Sequence, residues 1–280
     1  MGKISFRPAQ LRGKILCLYL CLAAQGFLGS GAAAATLAGH AIQSGGSLDF
    51  QFPLNDYFQA YAAQGGNPRP PAGRALVFFP KNFDPARTWP ILIVTSTTDL
   101  DRTSIMDAPA YRDPATAEGW VVLATDATIR PRSDSLAWRL AILTAALQEF
   151  RNDWPQSAHW PVAFAGFSGG AKRSGILAAM LAENRGLNIG GLFLAGINSD
   201  RVTAAYKDYH PPNSFLNVPI WISSGNADQI ATPGAQEEVY YSLKRTGFTH
   251  VRLEKFFGGH LLNKPELRRA LRWFREVGKF

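Results

Sequence analysis

Residues 161–175 read PVAFAGFSGGAKRSG: an apolar run, Val162 to Ala165, breaks off into Gly166, Phe167, Ser168, Gly169 and Gly170 and then continues with helical spacing through Ala171 to Leu181. A serine held between glycines two places before and two places after it fits one backbone arrangement well. The chain leaves a buried strand through a turn so sharp that flanking side chains would collide, and the serine oxygen is left exposed at the carboxyl end of the strand. The spacing therefore predicts a strand, a tight turn carrying Ser168 and a helix.

Working outward, the same alternation recurs to the C-terminus. Short β-branched or aromatic runs at Ala75–Phe79, Ile91–Thr95, Trp120–Ala124, Val162–Ala165, Gly191–Ala195, Ile220–Ser223 and Val251–Phe257 alternate with longer segments of helical period. Near-continuous apolar strands imply burial on both faces, as in a parallel sheet. Leu136, Leu140, Leu143, Leu147 and Phe150 recur at intervals of three and four, the stripe of a crossover helix. Thr232–Pro233 and Asn263 followed by Pro265 stand where an N-cap and a first-turn proline belong. The stretch Ala62 to Gly73, rich in glycine and proline, reads as a loop joining an N-terminal edge strand near Leu48–Phe52 to the main sheet. No internal repeat is present, and residues 36–280 read as one domain.

The first 35 residues are of a different kind. Lys3, Arg7, Arg12 and Lys14 precede an apolar run from Ile15 to Leu28, and small residues follow at Ala32–Ala35. This order predicts a secretory signal peptide with export to the periplasm or the extracellular space. The run is shorter than the roughly 20 apolar residues a membrane span needs, and Tyr19 and Leu20 are too bulky for lipoprotein cleavage before Cys21, so no stable membrane anchor is expected. Both cysteines, Cys17 and Cys21, fall inside the run, which leaves the mature chain without disulfides or thiolate metal sites.

The leader also carries half of the formal charge of +8. Arg268, Arg269, Arg272 and Arg275 share a segment with Leu267, Ala270, Leu271 and Phe274, the pattern of a solvated helix face. With no stacking platform or groove-reading motif beside the charge, nucleic-acid binding is not expected.

A serine hydroxyl becomes nucleophilic only when an imidazole takes its proton, and the imidazole needs a carboxylate to fix its tautomer. Both belong at later strand ends. Asp228 follows the Ile220–Ser223 strand in the turn Gly225-Asn226-Ala227-Asp228, and His260 follows Val251–Phe257 after Gly258 and Gly259. Asp200 is the rival acid. His159 and His250 precede strands and so belong to the opposite edge of the sheet, His40 lies beside the leader, and His210 reads as loop chemistry beside Pro211 and Pro212.

With these residues in place the chain resembles the α/β-hydrolase superfamily, in particular its esterase, feruloyl-esterase and polyhydroxyalkanoate-depolymerase-like members. FFPKNFDPARTWPILIV (78–94) looks like the approach to the central strand, GFSGG (166–170) like the nucleophile turn, SGNAD (224–228) like the acid turn and GGH (258–260) like the base turn. The resemblance implies an α/β fold with a mostly parallel central sheet, helices on both faces and no large cap domain. It implies a Ser168, Asp228, His260 triad that cleaves carboxylic esters of small-molecule or polymeric substrates through an acyl-enzyme, with no cofactor and no metal. One oxyanion donor would be the Gly169 N–H. Relatives usually carry His-Gly where this chain has Thr95 to Thr98, and the second donor falls to Ser96 or Thr97. A serine peptidase or lysophospholipase would use the same triad, and an exported, non-catalytic binding protein on the same fold is the out-of-class alternative.

Overall fold

The computed structural model describes residues 35–183 and 187–280; the signal peptide expected over residues 1–35 lies, but for residue 35, outside the described residues. In chain order the elements are β1 (Thr36–Leu37), β2 (His40–Ala41), β3 (Ser47–Pro53), α1 (Asp56–Ala62), β4 (Ala72–Phe78), β5 (Ile91–Thr95), α2 (Ser104–Asp107), α3 (Pro109–Ala117), β6 (Val121–Ala127), α4 (Leu136–Asp153), β7 (Val162–Phe167), α5 (Gly169–Glu183), β8 (Ile189–Ala195), α6 (Arg201–Tyr209), β9 (Ile220–Gly225), α7 (Pro233–Thr246), β10 (Val251–Phe256) and α8 (Lys264–Gly278). Strands β1 and β2 form a small hairpin, and the other eight build one sheet in the order β10-β9-β8-β7-β5-β6-β4-β3.

Six neighbouring strands, β10 through β6, run parallel, while β4 and β3 close the far edge antiparallel. Burial explains why the apolar runs are so clean. All five residues of β5 are buried, with Ile91 and Ile93 turned into the core under α4 and α5 while Leu92 and Val94 face the core shared with α3 and α8. β3 alternates exposed and buried residues instead, as an edge strand covered on one face should. The Ala75–Phe79 run, whose composition matched the parallel strands, pairs antiparallel with β6, Ala75 opposite Thr125. Apolar composition reports two covered faces; it does not report strand direction.

The helix starts expected from sequence are capped as their residues dictate. Thr232 Oγ1 accepts from the Ala235 N–H, Asn263 Oδ1 from Glu266 N–H and Ser135 Oγ from Trp138 N–H. The β1–β2 hairpin and α1 escaped the sequence reading. α1 follows β3 closely, opened by Asn55 accepting from the Phe58 N–H, and ends at Ala62, where the glycine- and proline-rich loop to β4 begins. Among the described residues no helix is long and apolar enough to cross a membrane.

The strand order fixes where a site can form. From β5 the chain steps to β6 on one side, then crosses to place β7 on the other, so the connections leave β5 and β7 in opposite senses. A crevice opens at the carboxyl ends of two such strands, and it is there that open α/β sheets bind ligands. Between Ala195 and Ile220 the chain forms only α6, which packs on α5, and a 3-10 turn at Asn213–Asn217.

The face under α8 depends on Phe274, which is fully buried against Gly191 of β8 and edge-on to Trp120. Replacing Phe274 by Ala is expected to cost about 3–5 kcal/mol of stability, read as a lowered urea midpoint; an unchanged midpoint would show that α8 does not anchor this face.

Candidate active site

The crevice between β5 and β7 is where Ser168 stands. Its φ is 56°, left-handed backbone that a non-glycine residue rarely adopts and that costs about 1–3 kcal/mol. The surroundings enforce it. Ser168 N–H donates to the Ala195 carbonyl of β8 at 2.8 Å, and its own carbonyl accepts from the Ala171 N–H at 3.1 Å, so the turn is pinned to the neighbouring strand at one end and opens α5 at the other. A Cβ on Gly166 would overlap the Gly170 carbonyl group, and one on Gly170 would overlap the Thr95 carbonyl oxygen. Thr95 Oγ1 lies 2.7 Å from the Gly170 carbonyl oxygen and 2.6 Å from Ser174 Oγ, binding the end of β5 to the start of α5.

The acid and base turns meet at the ends of β9 and β10. Asp228 is 3% exposed, and its Oδ2 lies 2.7 Å from His260 Nδ1. Its Oδ1 accepts from the Ile230 and Ala231 N–H groups, each at 2.8 Å. Because a carboxylate only accepts, the contact assigns the proton to Nδ1 and leaves Nε2 as the free basic nitrogen. Burial pushes the Asp228 carboxyl up, yet the His260 hydrogen bond and the two backbone N–H groups outweigh it and hold the carboxyl below the usual range. The two turns are stitched together by Ala227 N–H to the Gly258 carbonyl and Gly258 N–H to Asn226 Oδ1. Gly225 makes this approach possible, since a Cβ there would strike the carbonyls of Gly258 and Gly259.

Ser168 is brought to this pair through its neighbours. The His260 ring lies on the ring of Phe167, centroids 4.5 Å apart, and over Gly196, where a Cβ would stand 2.9 Å from the imidazole Cε1. Phe167 adjoins Ser168 in sequence, and Gly196 adjoins the Ala195 carbonyl to which Ser168 is bonded. The Ser168 hydroxyl itself holds no hydrogen bond among the described residues. The rival residues serve the fold: Asp200 caps α6 by accepting from Thr203 N–H, His210 ends α6 in left-handed backbone, and His159 and His250 precede β7 and β10 at the opposite edge.

The two residues named for a second oxyanion donor differ in how their amides are engaged. Ser96 N–H is engaged by Ser104 Oγ at 3.1 Å, so Ser96 has no free amide to offer. Thr97 N–H has no acceptor among the described residues, and Thr97 lies directly on the turn: a Cβ on Gly169 would stand 2.6 Å from Thr97 Cγ2. As first residue of α5, Gly169 has an N–H with no intrahelical acceptor. Gly169 and Thr97 thus lie in contact at the start of α5, and neither N–H has an acceptor among the described residues.

Three charged residues beside this loop went unnoticed in the sequence. Arg139 of α4 is buried and donates through Nε to Asp134 at 2.9 Å and through Nη1 to the Ser96 carbonyl at 3.2 Å, while its Nη2 lies 3.2 Å from Asp99. Burial pushes the Asp99 carboxyl up to about 6, with the Arg139 charge pulling the other way. A signal was present: Arg139 is a lone charge amid the apolar run of residues 136–147. Met106, Ile129, Ile230, Phe257 and Leu261, all in segments that follow the carboxyl ends of parallel strands, are exposed apolar side chains, Phe257 to 96%.

No protein-family model matches the chain, and no curated protein does. Solved structures are similar to it over most of its length. The monoclinic form of an esterase from Pyrobaculum calidifontis aligns over 84% of this chain and 86% of its own, at 14% identity and a TM-score of 0.56. A bacterial heroin esterase aligns over 83% and 84%, at 15% identity and 0.54. A thermophilic carboxylesterase cloned from a metagenomic library aligns over 84% and 91%, at 15% identity and 0.55. At such identities the likeness establishes the fold, and the chain has the α/β-hydrolase fold.

Because the folded pKa of Asp228 lies below its unfolded value of about 3.9, its contribution to stability is present above that value and is lost as pH falls through the lower folded value. Asp228→Asn is therefore expected to unfold at lower urea than the parent at pH 7, with the gap narrowing below about pH 4. A gap that stays constant across this range would contradict the ionised, hydrogen-bonded carboxylate.

Proposed function

We propose that this α/β-hydrolase-fold chain is a serine carboxylic-ester hydrolase. The observation that carries the reading is the buried Asp228 held 2.7 Å from half-buried His260, whose ring packs on Phe167 next to a serine in strained left-handed backbone. Ser168 Oγ attacks the ester carbonyl as His260 Nε2 takes its proton, and Asp228 stabilises the imidazolium that forms. The carbonyl oxygen becomes an oxyanion held by the Gly169 and Thr97 N–H groups. Collapse breaks the bond to the alkoxy group, which leaves as the alcohol with the proton from His260. Water, deprotonated by the same nitrogen, then attacks the acyl-enzyme and releases the acid and the free serine.

The short connection between β8 and β9 leaves the crevice uncapped, and the exposed Phe257, Ile230 and Leu261 beside the acid and base turns favour an apolar ester presented at a surface or along a polymer. A panel of aryl esters, feruloyl esters and polyester films separates these substrates. Ser168→Ala is expected to abolish turnover on every active member and to end labelling by a fluorophosphonate. Full turnover by that variant sinks the assignment, and a parent chain that never labels favours a non-catalytic binding role.

Export is part of the same proposal, resting on the order of basic, apolar and small residues before residue 36. Expressed in a secreting host, the chain is expected outside the cytoplasm with its N-terminus near residue 36 by mass spectrometry; an intact Met1 on the exported chain would refute cleavage.

A further inference from the structure

Resting on the hydrolase reading, we propose that Arg139 is a positioning residue for the oxyanion hole, fixing the peptide whose N–H serves as the second donor. The carbonyl that Arg139 Nη1 grips belongs to Ser96, and the N–H of that same peptide unit belongs to Thr97. A trans peptide is planar, with its C=O and N–H pointing in opposite directions. Clamping the Ser96 oxygen from the α4 side therefore aims the Thr97 N–H away from α4. Thr97 itself is seated on the Ser168–Gly169 turn, with its Oγ1 3.4 Å from the Phe167 carbonyl.

The clamp is itself held from several directions. Nη1 also lies 3.4 Å from Ser96 Oγ, Nε bonds Asp134, and Asp134 Oδ2 accepts from Arg173 of α5 at 2.7 Å. Ser96 Oγ in turn donates to the Thr98 carbonyl at 2.8 Å and lies 3.3 Å from Asp99 Oδ1. One buried ionic cluster thus ties the loop after β5 to the helix that precedes the nucleophile strand and to the helix that follows it. Buried ion pairs of this kind are weak contributors to stability compared with well-packed apolar side chains. What a planar guanidinium supplies that leucine does not is a fixed direction for its hydrogen bonds, together with a positive charge that polarises the gripped peptide and strengthens its N–H as a donor. Donors fixed in advance are what stabilise a developing oxyanion.

Kinetics on a short-chain aryl ester, with inhibition by an alkyl boronic acid that forms a tetrahedral adduct on the serine, test this. Arg139→Gln is expected to lower kcat about tenfold to a hundredfold, at or below the loss of a whole donor, with KM within about twofold and boronate affinity weakened by a similar factor. Arg139→Lys, which keeps one charged donor, is expected to fall between the two in both readouts. Rates are counted per fluorophosphonate-reactive site, which removes any unfolded fraction. A folded Arg139→Gln with kcat and boronate affinity like the parent overturns the proposal, as does Arg139→Lys doing so if the glutamine variant fails to fold. A loss confined to melting temperature and to the number of reactive sites, with kcat per site, KM and boronate affinity like the parent, assigns Arg139 to the fold alone and likewise overturns the proposal. Failure of the underlying reading looks different: Ser168→Ala would then keep full turnover.

Discussion

The site depends on a backbone contact in which no side chain can intervene. β7 and α5 meet with Gly166 against Gly170, and Gly170 against the carbonyl end of β5, so closely that a methyl group at either glycine would enter its neighbour. This contact makes the turn sharp, and the sharpness drives Ser168 into left-handed backbone. Strain of this kind, about 1–3 kcal/mol, is large beside a typical net stability of about 5–15 kcal/mol. It persists because the residues on both sides are immobile: five consecutive buried residues in β7, a hydrogen bond to β8, and the first turn of α5.

From this contact two polar systems extend on opposite sides. Toward β9 and β10 lies the Asp228–His260 pair, in which a buried carboxylate accepts two backbone N–H groups as well as the imidazole and is thereby kept ionised. Toward α4 lies the Arg139 cluster, which holds the loop after β5. On our proposal, the first governs where a proton goes and the second where an N–H points. Both set a buried charged group against partners of opposite charge or hydrogen-bonding capacity, because in a low-dielectric interior an unpaired charge is far more costly than a paired one.

The reach of the sequence varied with how local each feature is. Strand runs, the Thr232 and Asn263 caps and the Gly-X-Ser-X-Gly turn were legible because each is fixed by a few adjacent residues and by the burial of both sheet faces. Asp228 and His260 could be named as partners because a parallel sheet with crossover helices puts every strand's carboxyl end on one edge. α1 was missed, being only seven residues long with a single fully buried side chain, Ala62, and the direction of β4 was invisible because composition records coverage rather than polarity.

What the sequence by itself determined was the class of fold and the identity of the residues that end its strands, since periodicity and glycine spacing are properties of neighbours along the chain. Tertiary structure alone decided that Thr97 rather than Ser96 keeps an unengaged amide in the 95–98 loop. Ser96 loses its N–H to Ser104, eight residues away, and Thr97 keeps its own beside Gly169, seventy-two residues on. It also decided that Arg139, an anomaly in an apolar helix when read in one dimension, lies against the carbonyl of that same peptide. The physical reason is common to both. Hydrogen-bond partners are chosen by proximity in space, and which groups the packed sheet brings together across forty or seventy residues is not written in the spacing of either partner's neighbours.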